Sequence, residues 1–383
     1  MIGRVPALTV PRRILVVKLA DLGDLLTATP AIRALRESFA AAHVAALVTP
    51  DSAQLLCGAT SVDAVHTFDK SAFDSPVQAF LALPSALRLH RQLRAERFDT
   101  VVLLHHLTTV WGTAKYAALA LSTGAAVRAG LDNGRGQFLT HRAVDLGFGA
   151  RHEVDYWLDV AASLGARNRA PQLEVPVDDN SEARAEQVWQ RHGLEGCPVA
   201  LLHPGSGQFS LARRWPPERF AAVGDRLTRE HGLRVTVLAG PAPGESELAR
   251  RVMDLMSEPS LVLEPAVDAL ALAALLRRCR LFVGNDSGVM HLAAAVKVPV
   301  VAIFGPSNAA AWGPYPPAEL RNAVVREALA CSPCFHRGHS FGTPAGCPER
   351  TCLQVLEPDS VLEAVSRVLA ASTDTRVGSR RAG

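Results

Sequence analysis

RILVVKL, residues 13–19, is a run of mostly branched apolar side chains with Lys18 near its end. A strand with no polar alternation is buried on both faces, so its sheet needs helices on both sides. Similar runs recur as HVAALV (43–48), FDTVVLL (98–104), CPVALL (197–202), LRVTVLAG (233–240), LFVG (281–284) and PVVAIFG (299–305), with helical stretches between them. That alternation predicts parallel α/β sheets. A length of 383 residues exceeds one ordinary core, and ARNRAPQLEVPVDDNSE (166–182), rich in Pro, Asp and Asn, separates two series of elements. The expectation is two doubly wound, Rossmann-like domains, 1–175 and 176–357, facing a central cleft. Residues 358–371 are expected to form a helix packing back on the N-terminal domain, and 372–383 a disordered basic tail.

A net charge of +3 is too balanced to argue for a nucleic-acid partner. No apolar run reaches the ~18 residues of a membrane span. Pro11, Arg12 and Arg13 interrupt the N-terminal stretch MIGRVPALTVPRR, which is read as lacking a secretory leader. A cytoplasmic protein is expected, with room for a locally basic face that touches the inner surface of the cytoplasmic membrane. Of seven cysteines, Cys57, Cys197 and Cys279 are scattered and expected to be buried thiols. Cys331, Cys334, Cys347 and Cys352 cluster, and with His336 and His339 nearby their spacing would allow zinc. The second spacing is wide, so the reading is a local packing role or a redox-labile pair, with no metal.

Ligands of such sheets lie outside the carboxyl ends of the strands. HPGSG (203–207) follows a strand, and its glycines let the amides around Ser206 and Gly207 approach a phosphate. Arg213 and Arg214 follow and suit a diphosphate; a glycine turn with surface arginines is the competing reading. It is neither a Walker loop nor a dinucleotide fingerprint. In NDSGVMH (285–291), Ser287 and Gly288 open a helix whose amides can meet a phosphate. Asp286 would repel phosphate and suits sugar hydroxyls; alternatively Asp286 or Ser287 merely caps the helix. His291 sits one turn in, where a structural histidine is the plainer alternative. In ADLGDLLTATPAIRAL (20–35), Asp24 stands at the mouth of a helix, placed to take a proton from a hydroxyl nucleophile unless it is only an N-cap. Lys18 needs an anionic partner, expected across the cleft.

Taken in order, RILVVKLADLGDLLTATPAIRAL, HPGSG with RRWPPERFA, VGNDSGVMHLAAAVKVPVVAIFGPSNAAAWGPY, and CSPCF with a later CL resemble glycosyltransferase family 9, the lipopolysaccharide heptosyltransferases. The resemblance implies a GT-B fold and inverting, metal-independent transfer without a cofactor. It implies a nucleotide-sugar donor, ADP-heptose in the family, and a glycan or glycolipid acceptor. It makes Asp24 the catalytic base and Asp286 the acid that holds the donor sugar. Lys18 matches a lysine of the family's first loop and is assigned to the donor. Arg213 replaces a phosphate-binding lysine, Ser287, Gly288 and His291 form the diphosphate loop, and Glu245 lies near the ribose. Asn308 departs from a common Asp, and residues 70–150 match little. The alternatives are a different nucleotide-sugar donor, a non-catalytic nucleotide-sugar-binding module, and an epimerase of the same fold.

Overall fold

The computed structural model describes residues 10–70, 82–167, 170–264, 268–317 and 320–380, with side chains to Ser372. The start of the N-terminal stretch therefore lies outside the described residues. The chain divides into two units, Met1–Leu146 with Glu153–Pro171, and Gly147–His152 with Gln172–Gly383. The switch falls slightly before the expected 175, and a short excursion at 147–152 was not foreseen. It is tied into the C-terminal unit by Phe148 N–H donating to Gly338 O at 2.7 Å and by a His152 Nε2–Gly313 O contact of 2.9 Å. No composition signal reports such bonds.

The N-terminal sheet contains β1 (Arg13–Lys18), β2 (His43–Val48), β3 (Ala64–Thr67), β4 (Thr100–Leu103), β5 (Val127–Asp132) and β6 (His141–Val144). All pairings are parallel, in the order β3-β2-β1-β4-β5-β6. The C-terminal sheet contains β7 (Val199–His203), β8 (Arg234–Leu238), β9 (Ser260–Leu263), β10 (Leu281–Asn285), β11 (Val300–Ile303) and β12 (Asn322–Val325), in the parallel order β12-β11-β10-β7-β8-β9. Counted from its own first strand, each sheet has the doubly wound order 3-2-1-4-5-6. Winding direction reverses between β1 and β4, and again between β7 and β10. There the flanking helices leave to opposite faces and open a crevice at the strand ends. Lys18, His203 and Asn285 each close a strand at one of these points. A small hairpin, β13 (Phe335–Arg337) and β14 (Ser340–Gly342), belongs to the C-terminal unit.

The last helix, Pro358–Arg380, departs from expectation twice. Its apolar stripe of Val361, Ala364, Val365 and Val368 joins the core of the C-terminal unit, beside Trp215, Val301 and Ile303, rather than covering the N-terminal domain. Its helical backbone also continues through the segment expected to be disordered from 372, with 381–383 outside the described residues. Trp215 anchors this end of the chain. It is fully buried and its indole N–H donates to Leu356 O at 3.0 Å. Trp215→Ala should cost about 3–5 kcal/mol in denaturant unfolding; a loss below 1 kcal/mol would refute this anchoring role.

Candidate functional site

In the N-terminal unit, β1 runs directly into the helix Leu22–Ser38. The helix N-cap is Asp21, which makes no side-chain cap bond, and Asp24 lies in the first turn. Asp24 is therefore not the N-cap, which removes the plainer reading of it. Its side chain is 35% exposed and stands 3.8 Å from the ammonium of Lys18. Burial drives the Asp24 carboxyl up to about 6, against the lowering effect of Lys18 and with smaller upward pushes from Asp21 and Glu153. Lys18 is buried, with its Nζ 4.1 Å from the centre of the Trp157 ring. Burial lowers its pKa, while Asp24 and Glu153 oppose that shift. The anion that Lys18 needs is supplied by its neighbour Asp24 in the same unit.

Two histidines after β4 complete this pocket. The backbone N–H of Leu19 donates to Nε2 of His105 at 2.8 Å, so that nitrogen is bare and the proton sits on Nδ1. His105 stacks on Tyr116 at 4.4 Å, and burial holds its pKa well below the usual range. His106 bridges two buried carboxylates, Asp145 at 3.0 Å and Glu153 at 3.1 Å. Burial opposes its charge, but these partners prevail and raise its pKa to about 9. Sequence reasoning passed over His105, His106, Glu153 and Trp157. The signal was the pair of histidines directly after an apolar strand, at the edge where β4 meets β1.

In the C-terminal unit, the loops after β7 and β10 meet. Glu245, in the first turn of the helix Glu245–Leu255, is buried, and its Oε1 accepts from Ser206 N–H and Gly207 N–H, each at 2.9 Å. Arg214 adds a third bond at 3.1 Å. The amides expected to face a phosphate are therefore engaged by a carboxylate. Gly240 makes that possible, because a Cβ there would overlap Oε2 of Glu245. Arg213 joins the two loops: it donates to Ser206 O at 2.6 Å and to Asp286 at 3.2 Å. Asn285 is fully buried, donates to Pro204 O at 2.8 Å and accepts from Trp215 N–H at 3.2 Å. The sequence marked Asn285 as polar but not as the clamp between these loops.

Ser287 is the N-cap of the helix Gly288–Ala295, accepting from Met290 N–H at 3.3 Å, whereas the buried Asp286 is committed to Arg213. The cap reading is right for Ser287 and wrong for Asp286. His291 is buried, and burial pushes its pKa down to about 4 against the pull of Asp286, so it is neutral. Its Nδ1 has no hydrogen-bond partner among the described residues. Asn308 caps the helix Ala309–Trp312 and also donates to Phe148 O at 3.3 Å and His336 O at 2.9 Å. Asp could form the cap but not donate those two bonds, which accounts for the departure from the family pattern.

All seven cysteines are free. Cys279 is buried as expected, but Cys57 is exposed and Cys197 half-buried. The thiol pKa values of Cys334 and Cys352 are raised, first by burial and further by the neighbouring cysteines of the cluster. Among the described residues, no group of three or more His, Cys, Asp or Glu is arranged to hold a metal ion.

Two doubly wound units, each with polar groups at its switch point, are the architecture of the GT-B class. The sequence profile of glycosyltransferase family 9 (heptosyltransferase) matches residues 86–344, and the chain belongs to that family. It is 30% identical over 180 residues to lipooligosaccharide heptosyltransferase 2 of Campylobacter jejuni, covering 45% of this chain and 52% of that protein. The alignment thus spans about half the length of that curated relative. The glycosyl transferase family 9 structure from Veillonella parvula superposes with a TM-score of 0.75 at 23% identity, covering 94% of this chain and 97% of that one. The E. coli heptosyltransferase WaaC with ADP gives 0.66 at 20% identity, covering 92% and 99%.

Gly240→Ala should displace Glu245 and leave the 203–207 amides without their acceptor. A stability loss of about 1–3 kcal/mol is expected in thermal unfolding. An unchanged melting curve would show that Glu245 does not organise the loop.

Proposed function

We propose that the chain is an inverting glycosyltransferase that moves a heptose from ADP-heptose to a hydroxyl of a lipopolysaccharide-core or related glycan or glycolipid acceptor. The observation that carries this reading is Asp24. It is a solvent-reachable carboxylate at the switch point of the N-terminal sheet, raised to about 6 and set 3.8 Å from a buried ammonium. A module that only bound nucleotide sugars would have no use for a tuned base on this unit. The choice of ADP-heptose rests on family membership and on the ADP held by the E. coli relative.

Each group has a defined task. Asp24 takes the proton of the acceptor hydroxyl as its oxygen attacks the anomeric carbon, and Lys18 keeps the base ionised. The bond from that carbon to the diphosphate breaks on the opposite face, which inverts the configuration. Negative charge growing on the leaving ADP is met by Arg213 and by the amide end of the helix opened by Ser287 and Gly288. These fixed donors allow transfer without a metal ion or cofactor. Asp286 accepts from sugar hydroxyls, and neutral His291 offers its unpartnered Nδ1 to the donor. Glu245, with the Ser206 and Gly207 backbone, shapes the nucleoside side. The protein works in the cytoplasm, in peripheral contact with the inner face of the cytoplasmic membrane where a glycolipid acceptor is displayed. Among the described residues no helix is long and apolar enough to cross that membrane.

Asp24→Asn should lower kcat by ~10²–10⁴-fold with ADP affinity unchanged, measured as transfer from ADP-heptose and as the ADP-induced shift in Tm. Intact transfer in that variant would eliminate the base assignment. Because the base works deprotonated, kcat/KM should fall as pH drops through about 6. Lys18 lowers the Asp24 pKa, so Lys18→Met should move this acid limb to higher pH. A limb that stays in place or moves down would contradict the proposed pairing.

A further inference from the structure

Several surface arginines of the C-terminal unit are paired with neighbours: Arg250 with Glu264, Arg251 with Glu218 and Arg277 with Glu182. The helix Leu83–Ala95 of the N-terminal unit gathers several unpaired arginines in one place. Arg88, Arg91 and Arg94, with Arg97 just beyond its end, are all exposed, and none is in an ion pair among the described residues. Glu96 is the acid nearest in sequence, and it is engaged by Arg13 and His66.

Apolar side chains share the same face. At ~100° per residue, Leu83, Leu87, Arg91 and Arg94 lie within about a quarter of the helix circumference, with Arg88 flanking them. That arc is opposite the buried Leu89 and Leu93. Leu83 and Leu87 are 48% and 46% exposed. The helix Val110–Ser122 packs on the same core through Ala120 and Leu119, and Arg94 lies against Gly124 just past its end. One helix leads into β4 and the other leaves it, so both begin at the carboxyl edge of the sheet. That places Val110 and Trp111, 76% and 46% exposed, at the same end as the two leucines.

An apolar rim backed by arginines that are unpaired among the described residues fits an anionic bilayer surface. The leucines and tryptophan enter the headgroup–acyl boundary, while Arg91 and Arg94, ~6 and ~10 Å further along the helix from Leu87, sit at headgroup phosphates. A nucleic acid or acidic peptide would use the arginines but leave the rim without a partner. We propose that the protein docks on anionic phospholipid bilayers through the helix Leu83–Ala95 and the first turn of Val110–Ser122. This places the membrane contact proposed above on named residues and rests on that part of the reading alone.

The test is co-sedimentation of the full chain with phosphatidylcholine vesicles, with and without phosphatidylglycerol, at low and high salt, alongside heparin binding. No donor or acceptor is present, so failure here leaves the transfer reading untouched. The wild type should prefer the anionic vesicles and lose affinity with salt. Arg88→Gln/Arg91→Gln should weaken that binding roughly 25-fold, about fivefold per arginine. Leu87→Ser/Trp111→Ser should weaken vesicle binding at least as much and leave heparin binding intact. All four positions are exposed, so both variants should melt like the wild type, and Arg250→Gln/Arg251→Gln should bind vesicles like the wild type. The proposal is overturned by equal binding to neutral and anionic vesicles. Unchanged vesicle binding in either of the first two variants would overturn it as well, the rim variant's result pointing to a polyanion site.

Discussion

A parallel strand buried on both faces can offer a polar group to solvent only at its ends. In a doubly wound sheet, the carboxyl end at the point of reversed winding is the one place where two neighbouring loops diverge and leave room. This constraint explains why the chain's unusual residues sit where they do. Lys18 closes β1 and the histidine pair lies just past β4; HPGSG and NDSG begin on the last residues of β7 and β10. Between their ends these central strands are apolar and buried, so a ligand site there would require charges in the sheet's interior.

Once the loops leave the strands, their amides and carbonyls need partners, and the C-terminal unit supplies them with a balanced set of charges. Glu245 satisfies the Ser206 and Gly207 amides and is countered by Arg214; Asp286 is countered by Arg213, which also holds Ser206 O. Two carboxylates and two guanidiniums leave little surplus charge. A diphosphate entering this site must compete with Asp286 for Arg213 or draw on the helix amides beyond Ser287. The site is therefore pre-shaped by internal ion pairs, and the donor's charge would be accommodated by exchanging partners.

The fold was legible because its signal is repetitive: seven apolar runs with helices between them specify parallel sheets whatever the loops contain. Site residues with local signatures were legible too, since glycines, an acid and a cap recur at fixed distances from strand ends. What escaped the sequence were partners set by tertiary register. Nothing in GESEL says that Glu245 reaches back 39 residues to Ser206. Nothing in LLHHL says that His106 lies between Asp145 and Glu153. The last helix was misplaced for the same reason: its apolar stripe shows that it packs but not on which sheet. Lys18 was expected to find its anion across the cleft, while the turn into the helix brings Asp24, six residues on, beside it.

Around Asp24, the charges alternate in sign along the series Asp145, His106, Glu153, Lys18, Asp24. The first three carry one surplus negative charge, and Glu153 places it where it acts on Lys18. Burial alone would favour a neutral amine there, which would remove the counter-charge from Asp24. Glu153 opposes that loss but also raises the Asp24 pKa directly, so it acts on the base in two opposing ways. Lys18 is the main influence lowering the Asp24 pKa against burial, larger than the direct upward push of Glu153. The buried trio is thus tied to the pKa of a carboxylate through the ammonium of Lys18 between them.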